Sequence, residues 1–324
     1  MALIISHFPL SLTSKTSPSS FTPCNSSSIS LPKSRFPTST VSRYCGASTV
    51  SQMDSGRPRF MDFPYASPPI KDLMIDLIST VESSLDSLLL PCTLPQDVQY
   101  FQNQSGTAHA SLLLRSGSPS STIDFILGSW LHCELPTGGA LNITSFSSYM
   151  NNSTDAPHLV IEFIQSSPTS LVLILDLPPR KDLILHPEYL KTFYEDSELE
   201  KQRQVLDKIP EVQPYVSPSL YIRSVFSPTA IVVKVDTSES GGDKLEEILR
   251  DEVSNVAKQV LGIWLELCVL GGKRDVGDDE KVWLKKRDSL FKSKSIETDI
   301  GSTLPRMFGQ EITDRVLGVL QASL

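Results

Sequence analysis

Two neighbouring runs of this chain are apolar on both sides of a two-residue alternation, and that pattern constrains the fold most. The runs are His158-Leu-Val-Ile-Glu-Phe-Ile-Gln165 and Ser170-Leu-Val-Leu-Ile-Leu-Asp-Leu177. In an extended backbone, alternate side chains point to opposite faces. A strand that is apolar on both must be covered on both, so these runs belong centrally in a sheet packed between other elements. The exception is Glu162, which shares a face with Val160 and Ile164. An acid among apolar neighbours resists ionising, and a raised affinity for its proton is what a general acid near neutral pH needs. A carboxylate paired with an arginine, or turned to solvent at a sheet edge, fits the same segment.

No helical pattern interrupts residues 110–177. Turn signals divide the stretch into extended segments 110–115, 123–135, 141–146, 159–165 and 170–177, expected to pair antiparallel. Before them, Ser67-Pro68-Pro69 starts a helix whose Leu73, Leu77, Val81, Leu85 and Leu88 share a face, ending before Pro91. After them come a polar helix-like stretch at 195–209 and two further strand candidates, 219–225 and 230–235. An amphipathic helix follows, carrying Leu245, Ile248, Leu249, Val253, Val256, Val260, Leu261 and Trp264. A charged segment at 282–291 and a helix at 311–320 complete the order. It reads as α+β, with helices covering both faces of one central, mainly antiparallel sheet.

Composition narrows the function by exclusion. A formal charge of −8 over 324 residues argues against a general nucleic-acid binder. No apolar run approaches the roughly 20 residues that span a bilayer. The five cysteines include no C-x-x-C pair, which fits a reducing compartment. Residues 1–50 are rich in Ser and Thr, carry Lys15, Lys33, Arg35 and Arg43, and precede the first acid, Asp54. That is the signature of a plastid transit peptide, although a disordered tail has a similar composition. Its removal would take the formal charge from −8 to about −12. Residues 57–324 then form a single domain.

Gly138-Gly139 and Gly271-Gly272-Lys273 complete neither a phosphate loop nor a dinucleotide fingerprint. The histidines and cysteines show no metal-ligand spacing. Cys133, with His109 or His158 as base, could make a nucleophile, but it shares an apolar face with Leu127 and Leu131 and reads better as a structural thiol. On the same strand Asp124, Trp130, His132 and Glu134 share the other face with Ile126. Such a mixed face can line a pocket for a large conjugated ligand, or simply be half wet. Lys281, Lys285, Lys286, Arg287, Lys292 and Lys294 form a basic stretch suited to steering an acidic partner, or an ordinary solvated helix face.

Several strings resemble the red chlorophyll catabolite reductase family of plants. They include Phe60-Met-Asp-Phe-Pro-Tyr65, Leu127-Gly-Ser-Trp-Leu-His-Cys133, Leu159-Val-Ile-Glu-Phe-Ile-Gln-Ser-Ser167, Pro214-Tyr-Val-Ser-Pro-Ser219 and Pro305-Arg-Met-Phe-Gly309. The resemblance implies an α/β/α sandwich related to ferredoxin-dependent bilin reductases, usually a homodimer, with no bound flavin or nicotinamide. Reduced ferredoxin would supply electrons, and side chains or water would supply protons. The reaction would reduce the C20/C1 double bond of red chlorophyll catabolite, an open-chain tetrapyrrole, to primary fluorescent chlorophyll catabolite. The substrate would come from pheophorbide a oxygenase, with which a transient contact is expected in the chloroplast stroma. By the same resemblance the pocket carboxylates fall on Glu162 and Asp299, and the position influencing product stereochemistry on Phe226. Trp130 and His132 join them as expected substrate-binding residues. A non-catalytic carrier or chaperone that sequesters a phototoxic pigment would need a similar pocket but no proton donor.

Overall fold

The five central segments pair with one another in chain order. The structure, a computed structural model, describes residues 56–323 except 137, 272–275 and 296–300. Its single sheet has eight strands: β1 (Tyr100–Gln102), β2 (Ala108–Ser116), β3 (Ile123–Glu134), β4 (Ala140–Met150), β5 (Leu159–Ser167), β6 (Ser170–Asp176), β7 (Val212–Pro214) and β8 (Ile231–Asp236). The spatial order is β1-β2-β3-β4-β5-β6-β8-β7, and every neighbouring pair is antiparallel. The two doubly apolar runs, β5 and β6, lie side by side within the sheet.

Eleven α-helical segments among the described residues surround it: α1 (Gly56–Met61), α2 (Pro68–Leu85), α3 (Gln96–Gln99), α4 (Pro187–Leu190), α5 (Leu199–Leu206), α6 (Leu220–Val225), α7 (Gly242–Ile248), α8 (Ser254–Trp264), α9 (Asp278–Ser295), α10 (Gly301–Phe308) and α11 (Gln310–Ser323). The expected α+β class holds. α7 and α8 belong to one helix, Gly242–Leu270, continued through π-helical turns at Leu249–Val253 and Leu265–Leu270. By length and apolar composition that helix could cross a membrane. Its apolar stripe, from Leu245 through Val253, Val256 and Leu261 to Trp264, is instead buried in the core. α8 lies against β5 and β6, and α2 packs on α8.

Two departures from the sequence reading have simple causes. Residues 219–225 form α6 rather than a strand. Ser219 Oγ accepts the Ile222 N–H at 3.3 Å and so caps a helix start that follows Pro218. Of its apolar residues Ile222 is buried while Leu220 is exposed, so their spacing does not mark a sheet face. The edge strands β1 and β7 have three residues each, too few to show an alternation. The predicted transit peptide, residues 1–50, lies outside the described residues.

Helices occupy both faces. Opposite Glu162's face, the ring of Phe60 sits where a Cβ on Gly128 would come within 2.5 Å of it, so the close approach of α1 to β3 requires glycine there. On Glu162's own face, Lys292 of α9 lies over the rings of Phe125 and Tyr149. Phe308 of α10 meets Phe101 on β1 edge-on at 4.9 Å.

Candidate functional site

Register decides what surrounds Glu162. Directly paired residues share a face, and the pairing runs Leu112, Ser129, Ser145, Glu162, Ile174, Val232 across six strands. Two residues along lies the row Leu114, Leu127, Ser147, Val160, Asp176. A set of polar groups therefore occupies the middle of a buried sheet face. Glu162 is 1 % exposed, and Ser129, Ser145, Ser147 and Asp176 are also buried. Ser129 and Ser145 hydroxyls share a hydrogen bond of 2.7 Å. Burying polar groups is costly unless they are bonded. A row of hydroxyls and carboxyls here suits a ligand with both a large apolar body and heteroatoms.

One end of this face is closed by a saturated ion network. His158, fully buried just ahead of β5, accepts the Met150 N–H on Nδ1 at 3.0 Å. Its Nε2–H is then left to donate to Asp288 Oδ1, at 3.2 Å. Burial pushes the His158 pKa down to about 4, so the ring is neutral. Burial opposes ionisation of Asp288, but the hydrogen bond from His158 and the hydrogen bonds and charge of Arg180 outweigh it and hold the carboxyl well below the usual range. Arg180, also fully buried, donates to Asp288 and to the Thr154 and Asn151 carbonyls at 2.6 and 3.0 Å. Three segments distant in sequence are thereby tied together, and α9 is fixed to the sheet.

The residues expected from sequence fall into three groups. Glu162 and the Phe226 segment come to one side of the sheet. Phe226 follows α6, packs partly buried on the core, and is followed by Ser227, whose backbone N–H donates to Asp176 Oδ2 at 3.1 Å. Trp130 and His132 do not join them. They neighbour Ser129 and Leu131 on β3 and so point to the opposite face, where the N-terminal segment covers them. Trp130 Nε1 donates to the Phe60 carbonyl at 2.9 Å, and Tyr65 stacks on His132 at 3.9 Å between ring centres. A ligand seated over Glu162 is separated from both by the sheet, a consequence of the two-residue period. Asp299 lies outside the described residues, between the end of α9 at Ser295 and the start of α10 at Gly301.

Sequence reasoning missed Ser129, Ser145, Ser147 and Asp176. The signal was present in the alternation: Ser129 lies in step with Leu127 and Leu131, and Asp176 with Val172 and Ile174. What the alternation lacks is the cross-strand register that aligns them with Glu162.

Cys133, expected as a buried structural thiol, is only half-buried near the end of β3. His109 pairs with His132 and so lies on the opposite face from Cys133, and burial pushes the thiol pKa up, away from a thiolate. The basic stretch is only partly a surface. Lys285, Lys286 and Lys294 are exposed, but Lys292 is buried against Asp124, and Arg287 donates to the Pro179 carbonyl and to Asp288.

Comparison with known proteins agrees with this architecture. The family described as red chlorophyll catabolite reductase (RCC reductase) matches residues 69–322. The chain is 52% identical to the chloroplastic red chlorophyll catabolite reductase of Arabidopsis thaliana, over 99% of this chain and 98% of that protein. It is 47% identical to chloroplastic red chlorophyll catabolite reductase 1 of Oryza sativa subsp. japonica, over 76% of this chain and 74% of that protein. Among solved structures, tomato phytochromobilin synthase in complex with biliverdin shares the fold. Its TM-score is 0.56 at 16% identity, over 78% of this chain and 84% of that one. By these matches, and with the sheet and buried acid the sequence led to, the chain belongs to the red chlorophyll catabolite reductase family of oxidoreductases.

Proposed function

We propose that this chain reduces the C20/C1 double bond of red chlorophyll catabolite to primary fluorescent chlorophyll catabolite, with electrons from reduced ferredoxin. The observation that carries the reading is the buried polar row Ser129, Ser145, Glu162 on one sheet face, in a chain of this family. Saturating one carbon–carbon double bond takes two electrons and two protons. An iron–sulfur donor delivers electrons singly, so each transfer to the conjugated system is matched by a proton delivered where the charge develops. A carboxyl buried beside the pigment supplies that proton in place and excludes bulk water. Glu162 takes this role, with Asp299 as its partner carboxyl and Phe226 shaping the pyrrole face that is protonated. No cofactor resident in the protein is required by this scheme.

The electron donor docks on α9. Lys285 and Lys286 are exposed there beside Trp283 and Leu290, both large apolar side chains open to solvent. A basic, partly apolar surface fits an acidic protein such as ferredoxin. Arg287, which the sequence places with them, belongs to the buried network instead. The active species is a homodimer in the chloroplast stroma, meeting pheophorbide a oxygenase transiently to receive its substrate. The relatives from Arabidopsis and rice are both designated chloroplastic.

An anaerobic assay with reduced ferredoxin tests the reading. Loss of the red pigment with appearance of a fluorescent product, one C1 epimer in excess, is expected. Tight pigment binding with no ferredoxin-dependent change would instead identify a carrier.

A further inference from the structure

Glu162 is not the only acid buried on its face. Asp176 ends β6, is 2 % exposed, and pairs with Val160, while Glu162 pairs with Ile174. The two acids are diagonal neighbours on adjacent strands, a relation that sets such positions about 7–8 Å apart. Asp176 Oδ2 accepts the Ser227 N–H at 3.1 Å, and Oδ1 has no hydrogen-bond partner among the described residues. Its burial pushes the pKa up to about 7, against the opposing hydrogen bonds from Ser227.

The hydrogen bond lands on a particular piece of backbone. Phe226 is extended, with φ −67° and ψ 147°, as the chain leaves α6. Ser227 then begins a turn in which its Oγ accepts the Thr229 N–H at 3.2 Å and its carbonyl accepts the Ala230 N–H at 3.3 Å. Ser227 joins this turn to the sheet face that carries Glu162 by its side chain and by its backbone N–H. That N–H belongs to the peptide unit linking Phe226 to Ser227, so its anchor fixes the origin of the Phe226 side chain relative to that face. An acid is a costly way to anchor a loop in an apolar core, and beyond the backbone next to it at Leu177 its hydrogen bonds go to Ser227.

We propose that Asp176 is a positioning residue for stereochemistry: it pins the Phe226–Ser227 peptide to β6 and so sets how the Phe226 ring meets the pigment over Glu162. The inference rests on the reductase reading above and on Phe226 shaping the pyrrole face. It assigns Asp176 no contact with the reacting atoms. Proton delivery stays with Glu162 and its partner carboxyl, and Asp176 acts through Phe226.

The test is a set of variants read by the ratio of C1 epimers, with pigment affinity and melting temperature measured alongside. Asp176→Asn keeps an acceptor oxygen and the side-chain size, and should keep the wild-type ratio. Asp176→Ala removes the acceptor and should lower the ratio about fivefold or more while pigment is still bound. In a Phe226→Val background, Asp176→Ala should shift the ratio no further, since coupled positions are not additive. If the Ala variant does not fold, Asp176→Leu fills the same apolar site without an acceptor and carries the same expectation. An unchanged ratio in a folded Ala or Leu variant would overturn the proposal. So would an equal shift with and without Phe226. Loss of turnover at an unchanged ratio in Asp176→Asn would also overturn it, by making Asp176 a proton donor. Should wild type prove to bind pigment without reducing it, the reductase reading fails separately. The positioning role is then read from induced circular dichroism of the bound pigment, which Asp176→Ala and Phe226→Val should alter alike; no change in either would overturn it.

Discussion

The two faces of the sheet come from the same strands, one residue apart, and they are built for different ends. One carries Phe146, Ile161, Phe163, Leu173 and Leu175, each no more than 1 % exposed. The other carries Ser129, Ser145, Ser147, Glu162 and Asp176 among its apolar residues. A one-residue slip would exchange them. The contrast shows how a strand apolar in composition can still present chemistry. The first face supplies the burial that stabilises the fold, at about 25 cal/mol for each Å² of apolar surface. That burial offsets the cost of desolvating the carboxyls, which lie on the second face, and the hydroxyls, which lie on both, Ser111, Thr144 and Ser148 being buried on the first. The polar face is in turn tied down at one end, where His158, Asp288 and Arg180 satisfy each other.

The largest effect is expected at that tie. Arg180→Ala leaves Asp288 buried without the guanidinium that donates to both of its oxygens, and breaking a buried pair from one side costs about 3–5 kcal/mol. Urea denaturation should show it; an unchanged midpoint would mean that the polar face needs no anchor. The sign with pH follows from Asp288. Its carboxyl is held below the ordinary value in the folded protein. The stability it contributes is therefore present above the unfolded carboxylate pKa near 4 and lost as the pH falls through lower values.

A smaller effect belongs to the apolar face. Gly128→Ala forces a methyl against the Phe60 ring, and overpacking of this kind costs typically about 1–3 kcal/mol. The melting temperature should fall while the epimer ratio of the product stays at the wild-type value. A changed ratio would erase the functional distinction between the faces. The smallest effect lies outside both. Lys285→Glu with Lys286→Glu should raise the apparent KM for ferredoxin about fivefold at low salt, and less near 0.1 M ionic strength, where exposed charges are screened within about 10 Å. Arg287 is left intact, because reversing it would damage the Asp288 network and confuse docking with folding. A ferredoxin dependence that does not move would place the dock elsewhere.

Much of this was legible in the chain itself. The alternation in 159–165 and 170–177 gave β5 and β6, the apolar neighbours of Glu162 gave its burial within the sheet, and the stripe from Leu245 to Trp264 gave the long core helix. The misreadings share a cause. Trp130 and His132 are grouped with Glu162 in the sequence because alternation tells which residues of one strand share a face but not how strands align; the sheet sets them on the opposite face, covered by Phe60 and Tyr65 from far away in sequence. Arg287 looked like part of a surface patch because its partners, Pro179 and Asp288, lie on elements whose contact no local pattern reports. Residues 219–225 looked extended because seven residues are too few to separate a period of two from one of 3.6. Asp176 was hidden in plain view, since only cross-strand register aligns it with Glu162.

The central claim is that the polar face is a site of protonation and not merely a cavity that fits a pigment. Glu162→Gln tests it most directly, because the swap keeps the size of the side chain and leaves no cavity. With reduced ferredoxin in excess, the account predicts a folded protein that binds red chlorophyll catabolite as wild type does and loses most of its turnover, about a hundredfold or more, the usual contribution of a general acid. Full turnover in this variant would contradict the account and remove Glu162 from the mechanism.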